Sequence, residues 1–179
     1  MDIHKVLPQF NATIDKWMAH LDDYTLTMLC QKPQPAAWSL GQVYLHIIAD
    51  TWYFIGEIKT ALLLKNVNHE QEMHPDAKAI FAQQGFPDSL FSNPSNDPDS
   101  PQPDSKAALR QSLLSIKEAI NQCCATADFY HAHGKTQHPG LGYFSAAEWL
   151  QFAEMHMRHH LRQKKRIDDA LFSASQQGQ

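Results

Sequence analysis

The sequence WSLGQVYLHIIADTWYFIGEIKTALLL, residues 38–64, decides the fold class. Ser39 followed three residues later by Gln42 is typical of a capping box, in which each side chain bonds the backbone N–H of the other residue at the start of a helix. From Val43 to Leu64 the apolar residues fall on nearly every side of the helix that follows. A helix that is apolar all round is buried, so we expect it in the middle of a bundle, or in contact with a second subunit as well.

Amphipathic patterns on both sides of this stretch predict three more helices. Residues 4–20 space their apolar side chains three and four apart, with Pro8 marking a start or a kink. A third helix is predicted over residues 105–130, capped by Asp104. No stretch alternates apolar and polar residues as a strand would. The sequence therefore predicts an all-α fold, a four-helix bundle.

The fourth helix opens with a second capping box. Ser145 and Glu148 have the required spacing, and the helical pattern runs to about Leu171. The polar segment HAHGKTQHPGLGY, residues 131–143, is predicted to link the third and fourth helices. We expect residues 172–179 to form a disordered tail.

A long crossover loop is predicted between the second and third helices. The helical pattern fails from about residue 66 to residue 104, apart from a short helix predicted at HPDAKAIFAQQ, residues 74–84. Five of the ten prolines fall within residues 85–104, which makes this a Pro-rich loop. Loops of this length in a compact bundle are usually functional or wrap over a site. The long connection also indicates a topology other than simple up-down-up-down.

The bulk composition restricts the class of protein. A length of 179 residues favours one domain, residues 1–179. Three cysteines without metal-type spacing argue against a disulfide framework and favour a reducing, cytoplasmic location. The first residues do not resemble a secretory signal, and no stretch is long enough to span a membrane. A net charge of −4 makes nucleic acid an improbable partner.

Histidines are the candidate functional residues. The segment EMHMRHHLRQ, residues 154–163, places His156 and His160 four apart, so that both imidazoles lie on one helix face and can share a metal ion. His46 lies in a second, nearly uncharged helix. A core histidine and a solvated pair are the plain alternatives. Three imidazoles from two packed helices would instead leave coordination positions open, as catalytic metal sites do.

Three residues near these histidines have two interpretations each. Asp50, one turn after His46, is either a carboxylate that orients a ligand imidazole or a surface acid. Gln163 either donates to a group bound at the metal or is simply packed or solvated. His159 also lies one turn from His156, at i+3, and competes with His160 as a ligand.

Two segments resemble signatures of a known family. PAAWSLGQVYLHIIAD, residues 35–50, and HPGLGYFSAAEWLQFAEMHMRHHLRQKKRI, residues 138–167, look like those of the DinB-like (YfiT-like) superfamily. The resemblance runs from the first helix to about residue 168. It implies a four-helix bundle in an up-down-down-up arrangement and frequent homodimers. It also implies one divalent metal ion, commonly nickel or zinc, held by three histidines.

Residue by residue, the resemblance assigns the metal ligands to His46, His156 and His160. Since the resemblance places the ligand at His160, we expect His159 to face solvent or a subunit contact. His138 is either an exposed histidine of the polar link or lies near the mouth of the site. It does not assign catalytic residues.

The resemblance leaves the reaction open. Relatives act through low-molecular-weight thiols such as bacillithiol or mycothiol, and others are described as metal-dependent hydrolases. A divalent ion serves both chemistries, because it activates water and deprotonates a coordinated thiol. The sequence thus favours a metal-dependent enzyme acting on a small-molecule substrate, of hydrolase or thiol S-transferase type. The alternative is a non-catalytic dimeric bundle that binds a ligand or serves in a stress response.

Overall fold

A computed structural model describes residues 2–64, 71–87 and 97–172, and these are predominantly helical. In chain order the elements are α1 (Ile3–His20), a 3₁₀ turn (Leu21–Asp23), α2 (Leu26–Cys30), α3 (Leu40–Leu63), α4 (Pro75–Ala82), α5 (Lys106–Thr126), β1 (Lys135–His138), β2 (Gly142–Ser145) and α6 (Ala146–Leu171). None of the helices within these ranges is both long and apolar enough to cross a membrane.

Side-chain caps fix where the longest helices begin. Both predicted capping boxes are confirmed, Ser39 with Gln42 before α3 and Ser145 with Glu148 before α6. The cap of α5 was predicted one residue too early. Its N-cap is Ser105, whose hydroxyl accepts a hydrogen bond from the Ala108 N–H.

The four long helices contact one another through α6 and α5. α6 packs against α3 and α1, and α5 packs against the same two helices. α1 and α6 run parallel, because the residue numbers of their contacts rise together along both helices. The pairs are Thr13 with Glu154 and Trp17 with Met157, and Tyr24, just after the 3₁₀ turn, continues the order with Asp168.

Two other helix pairs, α3 with α6 and α1 with α5, are antiparallel, because their contacts advance along one helix while they move back along the other. Between α3 and α6 they join Phe54 to Trp149, Asp50 to His156 and His46 to His160. Between α1 and α5 they join Asn11 to Asn121 and Asp15 to Lys117, and Asp22, in the 3₁₀ turn that follows α1, continues the order with Arg110.

A buried aromatic pair ties α1, α3 and α6 together. The rings of Trp17 and Tyr44 meet edge to face, with centroids 4.8 Å apart. Trp17 Nε1 donates to the Met157 carbonyl at 3.1 Å, and the Tyr44 hydroxyl donates to the Trp17 carbonyl at 2.9 Å. Because both polar groups are satisfied, the two rings can be fully buried at little polar cost.

The predicted polar link contains a β-hairpin, so the expectation of an entirely helical fold was wrong in this segment. β1 and β2 pair antiparallel, with Thr136 opposite Phe144. Gly140 and Gly142 have φ values of 90° and 81°, a backbone conformation that glycine adopts readily. Phe144 is fully buried and attaches the hairpin to the core.

The predicted crossover region is only partly described. The short helix expected within residues 74–84 is present as α4, Pro75–Ala82. The end of the Pro-rich segment packs on the start of α3, where Gln42 Nε2 donates to the carbonyls of Pro98 and Ser100. Residues 88–96 of that segment, and residues 173–179 of the predicted tail, lie outside the described ranges.

Candidate metal centre

Three imidazoles from two helices converge at one point. His46 comes from α3, and His156 and His160 come from α6. The Nε2 atom of His160 lies 3.1 Å from Nε2 of His46 and 3.2 Å from Nε2 of His156. Each of the three offers a ligand atom within 4.8 Å of the other two, so the group could hold a metal ion.

The two separations that involve His160 Nε2 fit a shared ion, and the ligand atoms of His46 and His156 lie within 4.8 Å of each other. Two donors that each lie about 2.0–2.1 Å from one ion, at angles between a right angle and the tetrahedral value, are about 2.9–3.4 Å apart. Both measured Nε2 separations fall within that range. Imidazole nitrogen is a preferred ligand of zinc, nickel and other divalent transition metals.

The outer nitrogens of the three rings have different surroundings. His160 Nδ1 lies 2.7 Å from Gln163 Oε1, so the ring donates to the amide oxygen and keeps its Nε2 lone pair for the centre. His46 Nδ1 lies 3.5 Å from Asp50 Oδ1. His156 Nδ1 is buried without a hydrogen-bond partner among the described residues.

Burial keeps the three imidazoles neutral. Desolvation lowers the pKa of His46 to about 4. Desolvation and the neighbouring His46 side chain together lower the pKa of His160 to about 4. Desolvation also lowers the pKa of His156 well below its ordinary value, and the surrounding histidines add to the effect. At neutral pH all three rings therefore offer lone pairs, which is the protonation state that binds metal.

Asp50 lies beside the imidazoles. Its Oδ2 atom is 3.4 Å from His156 Nε2, and its side chain is 37% exposed, against 16% for His46 and 12% for His156. Desolvation raises the pKa of this carboxyl group to about 6.

Aromatic rings wall the centre on two sides. The Trp38 ring lies 5.1 Å from the His46 ring, and its Nε1 donates to the Asp97 carbonyl at 2.8 Å. Phe54 packs edge to face on His156, with centroids 5.5 Å apart. Such walls exclude water, which accounts for the depressed pKa values of the imidazoles.

A profile of the DinB superfamily matches residues 9–163, a range that contains all three histidines. The chain belongs to the DinB superfamily. Searches of curated proteins and of solved structures gave no match. The family resemblance found in the two sequence segments is thus confirmed over most of the chain.

His159 does not join the histidine group of this DinB-superfamily protein. Its Nδ1 accepts a hydrogen bond from Arg162 at 2.7 Å, and its ring lies 5.1 Å from the Phe86 ring. An aromatic and a cationic side chain of the same chain thus contact this half-buried ring, and the expected contact with solvent or a second subunit stays a prediction.

His138 lies near the centre without entering it. Its ring stacks on Trp149 with centroids 5.4 Å apart and meets Phe152 edge to face at 5.0 Å. Its Nδ1 is buried without a hydrogen-bond partner among the described residues. His131 and His133, from the same segment, are exposed.

The sequence leaves the roles of Gln163 and Asp50 open, because spacing alone does not decide them. Gln163 accepts from His160, whereas the sequence suggested a donor or an uninvolved residue. Asp50 contacts two of the histidines. In the sequence, only their positions indicate a role, since each of the two residues lies one helical turn from a histidine.

Proposed function

We propose that this protein is a metal-dependent member of the DinB superfamily in which His46, His156 and His160 bind one divalent ion, nickel or zinc. The single observation that carries the proposal is the convergence of three Nε2 atoms at separations of 3.1 and 3.2 Å. The three buried imidazoles are neutral, and this is the protonation state in which histidine binds a divalent ion.

We propose an enzyme of hydrolase or thiol S-transferase type that acts on a small-molecule substrate, with a low-molecular-weight thiol as a candidate cofactor. When bound, a divalent ion supplies Lewis acidity that activates water or a thiol at neutral pH. Other residues of the chain keep the imidazoles in the tautomer and environment that favour metal binding. Gln163 fixes the tautomer of His160, and the Trp38 and Phe54 rings keep bulk water from the imidazoles.

We also propose the up-down-down-up four-helix bundle and the homodimer that the resemblance implies. The sequence of contacts along the helices supports the first arrangement. α1 runs parallel to α6, whereas α3 runs antiparallel to α6 and α5 runs antiparallel to α1. Exposed large apolar side chains on and just after α3 support the second. They are Trp52, Tyr53, Leu63 and Leu64.

Elemental analysis of reconstituted protein tests the metal proposal. The metal-free chain is loaded with zinc or nickel, freed of excess ion, and measured for metal per chain. We expect about one ion per chain for the wild type and a loss of most of it in His156→Ala. Tyr130→Ala, a change at a residue that is 86% exposed, is the matched control and retains the ion. A substoichiometric wild type, or equal content in His156→Ala, would contradict the proposal.

A further inference from the structure

The two carboxylate oxygens of Asp50 face two different histidines. Oδ1 lies 3.5 Å from His46 Nδ1, the nitrogen that points away from the centre. Oδ2 lies 3.4 Å from His156 Nε2, a nitrogen that points into it. One carboxylate therefore contacts both the outer edge and the inner edge of the candidate metal centre.

The second of these distances resembles a separation between two ligands. The Nε2 atoms of the histidines are 3.1 and 3.2 Å apart, and Oδ2 of Asp50 is only slightly further from the nearest of them. Donors on one ion are about 2.9–3.4 Å apart. Oδ2 thus lies at the outer limit of this range.

Asp50 also has no lysine or arginine partner among the described residues. Its ion-pair contacts in those ranges are with the imidazoles of His46 and His156. A partly buried carboxylate that faces no positive charge loses solvation without an electrostatic return. A divalent ion held by the imidazoles supplies the missing positive charge.

We propose that Asp50 binds the same ion as an oxygen ligand and completes a donor set of three nitrogens and one oxygen. The inference rests on the proposed function. The mutually close ligand atoms are those of the three histidines, and the carboxylate lies beside them. Binding therefore takes a rotation of the Asp50 side chain, which is 37% exposed.

Cobalt(II) reports the donor set directly, because its visible absorption depends on the number and type of ligands. The metal-free wild type, Asp50→Asn, Asp50→Glu and Glu57→Gln are titrated with cobalt(II). Asp50→Asn keeps a side-chain oxygen that can accept a hydrogen bond from His46 but removes the negative charge. Asp50→Glu keeps a carboxylate oxygen that can bind the ion. Glu57→Gln makes the same charge change on the same helix and is the matched control.

We expect Asp50→Asn to bind cobalt(II) at least about tenfold more weakly and with an altered visible spectrum. Asp50→Glu and Glu57→Gln should give the wild-type spectrum. A wild-type spectrum for Asp50→Asn, whatever its affinity, would overturn ligation by Asp50 while leaving the three-histidine proposal intact. A wild type that binds no cobalt would overturn the proposed function, and this inference with it.

Discussion

His159 and His160 are adjacent in the chain, yet their imidazoles have different surroundings. His160 is 8% exposed and meets His46 and His156, while His159 bonds Arg162 and packs beside Phe86. Successive residues on a helix point about 100° apart, so only one of the two can face α3.

Removing each of these imidazoles in turn separates the two roles. We expect His160→Ala to weaken zinc binding more than about 100-fold, because even residues that only support a ligand contribute 10- to 100-fold. His159→Ala is the matched control and should change zinc affinity little. Competition against a chelator of known affinity measures both. The reverse order of effects would place the third ligand at residue 159.

The sequence predicted which histidines could meet but not what supports them. A spacing of four on a helix places His156 and His160 on one face whatever surrounds them. The partners of their outer nitrogens depend on rotamers and on packing against α3. For this reason Gln163 and Asp50 could be named as candidates without a defined role.

At the scale of elements, local side-chain chemistry made the helix starts predictable. A capping box needs only two residues three apart, so Ser39 and Ser145 could be read directly from the sequence. Asp104 and Ser105 are both good caps, and spacing alone did not choose between them. The hairpin was missed because β1, KTQH, is polar and only four residues long.

The cap of α6 is expected to contribute to stability. The Ser145 hydroxyl accepts from the Glu148 N–H and donates to the Glu148 carboxylate. We expect Ser145→Ala to lower the free energy of unfolding by about 1 kcal/mol. Urea denaturation measures this change. Ser115→Ala, in the middle of α5, is the control and should be neutral or slightly stabilising because alanine has the higher helix propensity. Equal effects at both positions would contradict the assigned cap.

At the scale of the whole molecule, the site depends on packing between distant parts of the chain. His46 and His160 are 114 residues apart in sequence. Periodicity showed that α3 and α6 each have apolar faces, but it could not show that these faces meet at His46. The family resemblance supplied that pairing, and the helix contacts account for it physically.

The buried imidazoles make the metal-free protein sensitive to acid. His46 and His160 titrate at about 4 when folded, against 6.5 for an ordinary histidine. Below pH 6.5 these imidazoles are protonated in the unfolded chain but stay neutral in the folded chain. The free energy of unfolding therefore decreases as the pH falls toward 4. Asp50 opposes this, because its pKa of about 6 when folded lies above its ordinary 3.8.

We expect the histidines to outweigh the one carboxyl group, so the free energy of unfolding of the metal-free protein should decrease from pH 6.5 to pH 5. Urea denaturation in the presence of a chelator, at a series of pH values, measures it. His46→Gln should flatten the slope, and His133→Gln, at an exposed position, should leave it unchanged. A stability that stays constant or rises on acidification would show that the imidazoles are not buried in the neutral form.

The most direct test of the central claim is a crystal of the zinc-loaded protein measured on both sides of the zinc absorption edge. The account predicts one anomalous peak per chain, about 2.0–2.1 Å from Nε2 of His46, His156 and His160. A peak bound elsewhere, or no peak among these three nitrogens, would contradict it.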